Sequence, residues 1–191
     1  ATLEAAAAES ILLALANDGG YAPAYARLGR IYAARGDFEQ AEKLWVKGYK
    51  STDKLSLLLY AENSMRSRNK ADQMLPIYKK FGKRSQGALL LRARLLVSLG
   101  RNKEAIEYLL ASSGALNTPY GKWLLGEANF AQGEYEKAAR AYRSGLGGGE
   151  LPLLPFTCSA CGAKSPNYAT DCNACKSADC LDFTPELLSD E

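Results

Sequence analysis

Cys158-Ser-Ala-Cys161 and Cys172-Asn-Ala-Cys175 stand ten residues apart near the C-terminal end of a 191-residue chain. A Cys-x-x-Cys pair bends the backbone into a tight knuckle with two sulfurs facing one point, and two such pairs can hold a tetrahedral metal through four thiolates. The expected ligands are therefore Cys158, Cys161, Cys172 and Cys175. Gly162 follows the first knuckle, where a turn residue serves at positive φ, and Lys176 holds the matching place in the second at a small backbone cost. Histidine is absent, which removes His-ligated metal sites and Ser-His or Cys-His catalysis. Zinc and iron both suit four sulfurs. One zinc ion is the expected cofactor, because zinc stabilises small folds by roughly 10–16 kcal/mol in peptide systems and so short a segment has little core of its own. Iron is the alternative. The fifth cysteine, Cys180, is expected to be a semi-buried thiol, not needed as a ligand.

The rest of the composition excludes more than it assigns. There is no Walker lysine loop, no nucleophile elbow and no metal-binding helix, so an enzyme is not expected. No apolar run reaches the roughly 18–20 residues that span a bilayer. The chain opens on Ala1 in mid-pattern, so it reads as a piece of a longer array, and a preceding membrane anchor is an expectation. Reduced thiols in metal spacing point to the cytosol or a cytosol-facing location. From Phe156 onward two lysines face six acidic residues, a net −4, which leaves +7 on the preceding residues for the formal total of +3. An acidic cysteine segment is a poor nucleic-acid module. It is expected to dock on a basic helical body, at that body's C-terminal part.

The segments that must position this chemistry repeat. Tyr25, Leu28, Gly29 and Tyr32 share one helix, Gly36-Asp37-Phe38 turns, and Ala41, Trp45 and Gly48 share the next. Related patterns start near residues 55, 86 and 119, at intervals of 33, 31 and 33, close to the tetratricopeptide period of about 34. These residues resemble the tetratricopeptide consensus, best at Gly29 with Ala41 and at Gly126 with Ala138. The second repeat is degenerate, with Glu62 where a small residue is usual. Residues 1–20 read as half of an earlier repeat, with Ala8, Leu12 and Leu15 in its pattern. The expected domains are a repeat domain over 1–149, a proline-stiffened linker over 150–155 and the metal-binding module over 156–191.

In repeats of this type the first helix of each pair lines the concave face. The inward positions form a candidate partner groove: Arg30, Leu59, Asn63, Arg66, Leu90, Arg94, Trp123, Glu127 and Phe130. Arginine forks there could clamp a carboxylate or the carbonyls of an extended peptide.

Repeats followed by Phe156-Thr-Cys-Ser-Ala-Cys-Gly162 and the ten-residue arm resemble the C-terminal half of the lipopolysaccharide assembly protein B family. Where that family usually has proline after the third cysteine, this chain has Asn173. The resemblance implies an all-α tetratricopeptide-repeat superhelical solenoid with a small C-terminal rubredoxin-like or zinc-ribbon module. It implies the same four cysteine ligands. It also implies an adaptor on the cytoplasmic side of the bacterial inner membrane, reaching the membrane through an N-terminal anchor, that regulates lipopolysaccharide synthesis by presenting a lipid A biosynthetic enzyme to a membrane protease. The alternatives are a rubredoxin-like electron carrier on a repeat scaffold, which a red, reversibly reducible iron centre would mark, and a zinc-ribbon nucleic-acid binder, which a salt-sensitive DNA or RNA shift would mark.

Overall fold

Gly29 and Gly126 show why paired helices form here. In the computed structural model a Cβ on Gly29 would lie 2.1 Å from the Trp45 indole, and one on Gly126 would lie 2.3 Å from the Tyr142 ring. Each glycine lets an aromatic ring from the partner helix press onto its backbone, and buried Ala41 and Ala138 complete the two contacts.

The structure describes residues 12, 13, 15, 20–146, 156–165 and 169–183. Its helices are α1 (Ala22–Ala34), α2 (Phe38–Thr52), α3 (Leu55–Arg66), α4 (Met74–Phe81, entered through a 3-10 turn at Ala71–Gln73), α5 (Gln86–Ser98), α6 (Asn102–Ala111), the single turn α7 (Ser113–Leu116), α8 (Pro119–Ala131) and α9 (Tyr135–Leu146). The repeat starts expected from the pattern coincide with the first residues or first turns of α1, α3, α5 and α8. Residues 1–11 of the expected half repeat, the linker at 150–155 and the tail at 184–191 lie outside the described residues.

Local chemistry fixes the element ends. Proline opens α1 and α8, where its missing N–H costs nothing. Ser85 and Thr118 cap α5 and α8, accepting from the amides of Ala88 and Gly121. Four of the helix ends share one motif. The amides of Asp37, Lys70, Arg101 and Glu134 donate to the carbonyls of Tyr32, Met65, Leu96 and Asn129, each five residues back. The residue before each donor is left-handed: Gly36, Gly100 and Gly133, with Asn69 in the degenerate second repeat.

The described residues divide into two compact units, those up to Lys70 with 157–183, and 71–146 with Phe156. The first has a core of Tyr25, Leu28, Trp45, Leu57 and Leu58, and the second of Met74, Tyr78, Leu90, Leu91, Leu95 and Leu109. The boundary falls inside the second repeat, the one in which Glu62 replaces the small residue. Glu62 is only 1% exposed and ion-pairs with Arg66 at 2.7 Å on its own helix.

Three short strands, β1 (Phe156–Cys158), β2 (Lys164–Ser165) and β3 (Leu181–Phe183), form a sheet in the order β2-β1-β3. The cysteine segment clusters with residues up to Lys70, which corrects the expected docking on the C-terminal part of the helical body. The physical reason is a set of ion pairs made by Asp179 and Asp182 with α1 and the start of α3.

Candidate metal centre and the adjoining helix face

The two knuckles are built alike. In the first, Cys158 N–H donates to Ala163 O (2.9 Å) and Gly162 N–H donates back to Cys158 O (2.8 Å). In the second, Cys172 N–H donates to Ser177 O (2.9 Å) and Lys176 N–H donates to Cys172 O (2.8 Å). Both turns need a left-handed residue at the same place, Gly162 at φ 73° and Lys176 at φ 59°. The positive φ expected at these two positions is therefore present, on a lysine as well as on a glycine.

The knuckles face each other. Cys158 Sγ lies 3.7 Å from Cys175 Sγ, and Cys161 Sγ lies 3.8 Å from Cys172 Sγ. A tetrahedral site with metal–sulfur bonds of about 2.3 Å has sulfur–sulfur edges of about 3.8 Å. These two separations match such edges, and cysteine thiolates at that spacing suit a tetrahedral metal.

The sequence did not place Cys180 among them. Its sulfur joins those of Cys158, Cys172 and Cys175 in a group whose members all lie within 4.8 Å of one another, and Cys161, the other expected ligand, is not in that group. It sits 3.2 Å from Cys158 Sγ and donates to Ser177 O at 3.0 Å. A separation of 3.2 Å is shorter than a tetrahedral edge and fits a thiol hydrogen-bonded to a neighbouring sulfur. Burial, then the adjacent Cys158, pushes the Cys180 thiol up to about 12. The Ser177 side chain and amide pull Cys175 down to about 6. The Ala163 amide lowers Cys161, but the Cys175 and Cys158 sulfurs outweigh it and hold that thiol at about 12. Sulfurs this close cannot all ionise alone, and a divalent cation among them removes the conflict.

Beside the sulfurs the segment clasps the helices. Asp179, left-handed at φ 53°, accepts from Tyr60 Oη at 2.5 Å and from Arg30 Nη2 at 2.9 Å, with Arg27 Nε 3.6 Å away. Asp182 accepts from the Ser56 amide at 3.3 Å and pairs with Lys54 Nζ at 3.2 Å. Ser159 ties the first knuckle to the same stretch, its amide donating to Cys180 O at 2.7 Å.

The groove residues meet different fates. Arg30 is half-exposed and holds Asp179. Leu59 and Leu90 are buried, so they are core residues and not an accessible groove floor. Arg66 is drawn to Glu62, and Glu127 accepts from Tyr142 Oη at 2.7 Å. Asn63 is exposed and Arg94 half-buried. Trp123 stacks on Tyr120 with centroids 5.6 Å apart. Phe130, 57% exposed, meets the edge of Tyr135 at 5.3 Å. The two leucines left the groove because their helix faces point at neighbouring helices, a property of packing that inward register alone does not reveal.

Residues 24–45 and 87–113 each match a family model described as tetratricopeptide repeat. Comparison with curated proteins gives no match. Among solved structures, the MamA fragment from residue 41 to its end, from Desulfovibrio magneticus RS-1, is 18% identical, with 65% of this chain and 73% of that chain covered at a TM-score of 0.45. The described residues are mostly helical, with tetratricopeptide-like repeats and a small C-terminal cysteine-rich region containing a few strands.

Proposed function

We propose that this chain is a non-enzymatic adaptor whose repeats bind other proteins and whose cysteine knuckles hold one structural zinc ion. Tetratricopeptide repeats support protein binding. The observation that carries the metal reading is the pair of matched knuckles with opposed sulfurs at 3.7 and 3.8 Å. Cys158, Cys161, Cys172 and Cys175 would hold the ion, which supplies folding energy by cross-linking a segment with three short strands. Cys180 stays outside the ligand set as a hydrogen-bonding thiol.

The more specific role is regulation of lipid A synthesis at the cytoplasmic face of the inner membrane, by presenting a biosynthetic enzyme to a membrane protease. Its support is the resemblance of the repeat-plus-knuckle order. No described helix is long and apolar enough to cross a membrane. Affinity capture with the full-length protein in its own cell tests this role. Recovery of a lipid A enzyme or a membrane protease supports it, and recovery of neither rejects it. Metal analysis with a visible spectrum separates the two ions: colourless protein with one equivalent of zinc supports the adaptor, and a red, reversibly reducible iron centre replaces it with an electron carrier.

A further inference from the structure

Asp179 occupies a seat whose side chains come from two helices. Arg27 and Arg30 lie one turn apart on α1, and Tyr60 comes from α3. The Tyr60 ring stacks on Trp45 at 5.6 Å, Trp45 is pressed against Gly29, and the Arg30 guanidinium lies 5.9 Å over the Tyr60 ring. Two cationic donors and a hydroxyl thus converge on one point, held by helix packing. The carboxylate placed there is only 1% exposed. Lys54 and the Ser56 amide make a second acid position, filled by Asp182. A cavity of about 430 Å³ adjoins the joint, lined in part by Tyr21, Thr52, Lys54, Ser159 and Asp182. The joint between segment and helices combines these ion pairs with buried Leu181, and the adjoining cavity leaves part of it unfilled.

We infer that Arg27, Arg30 and Tyr60, with Lys54 and Ser56 alongside, form a recognition site for an extended acidic segment of a partner protein carrying two carboxylates three residues apart. The chain's own Asp179-Cys-Leu-Asp182 fills this site as an intramolecular stand-in, and a partner segment takes it when the stand-in leaves. Charge-assisted hydrogen bonds to the carboxylates supply the affinity, and the fixed donors supply the selectivity for acid over amide. The inference rests on the protein-binding reading above and assigns its surface and the chemistry of its partner.

The test uses the zinc-loaded chain and a fluorescent peptide of residues 177–183 with serine in place of Cys180. Asp179→Ala with Asp182→Ala empties both seats and is expected to tighten peptide binding by at least about tenfold over the unsubstituted chain, since the internal competitor is gone. A control peptide with both aspartates changed to asparagine should not bind, and adding Arg30→Glu should abolish binding of the acidic peptide. Equal affinity for both chains, equal binding of both peptides, or indifference to Arg30→Glu overturns the inference. Should the double variant lose its helical signal, the unsubstituted chain decides. Excess acidic peptide must accelerate amide exchange across residues 177–183 more than the asparagine peptide does, and equal exchange overturns the proposal. Failure here with cellular capture intact leaves the protein-binding reading standing and moves its surface elsewhere. Loss of capture with peptide binding intact does the reverse.

Discussion

Gly162 and Lys176 perform one task with unequal ease. Both are left-handed, and both amides bond back to the first cysteine of their knuckle. A β-branched residue is strained at such a φ by about 1–2 kcal/mol, so Gly162→Val should weaken metal retention by about tenfold, whereas Lys176→Gly should retain the metal at least as well as the natural residue. Competition with a chromogenic chelator measures both. The sulfurs give a second residue-scale expectation. Cys158→Ser or Cys172→Ser should release the ion, and Cys180→Ser should keep one equivalent, counted by elemental analysis of the purified protein. Loss of the ion in the Cys180 variant would make Cys180 a ligand. The two matched knuckle turns were legible because Cys-x-x-Cys spacing is local geometry. The place of Cys180 was not, because it depends on β3 returning beside β1, a long-range pairing that residue spacing does not encode.

At the scale of helices, stability is concentrated where a ring presses on a glycine and where a side chain caps an end. Gly29→Ala and Gly126→Ala insert a methyl group into the Trp45 and Tyr142 contacts and should each cost about 1–3 kcal/mol, because the opposing group is a packed ring on a neighbouring helix. Ser85→Ala and Thr118→Ala should each cost about 1 kcal/mol. The Thr118 change is expected to be the larger, since its hydroxyl is buried and also donates to Ala115 O at 2.7 Å. Denaturant midpoints of single variants check all four, and Gly29→Ala without effect would remove the interlock from the account. The first residues of each repeat and the glycine turns were visible in the pattern, since a period near 33 and a Gly at a helix end act within a few residues. The Schellman-type bond at Lys70 uses Asn69 in the place of glycine, because asparagine adopts the left-handed conformation more readily than other side chains.

For the molecule as a whole, the uneven charge found its use in the clasp. Acidic Asp179 and Asp182 meet Arg27, Arg30 and Lys54 inside the unit of residues 1–70 and 157–183. Removing the metal should therefore be felt in that unit. After chelation, amide exchange is expected to rise across residues 156–183 and at the start of α3, and to remain unchanged in α5, α6, α8 and α9, because cooperative units open separately. A uniform rise across all helices in an exchange experiment would show one cooperative body and contradict this expectation.

The order of residues by itself determined the helical character of the repeats and the two knuckle turns, because each follows from interactions within about one turn or one repeat. Only the tertiary structure decided that Leu59 and Leu90 are core, that Cys180 stands beside Cys158, and that Arg30 already holds a carboxylate from its own chain. Those facts arise where segments more than twenty residues apart come together, and charge and burial at such meetings are set by which surfaces remain uncovered after the local elements have formed.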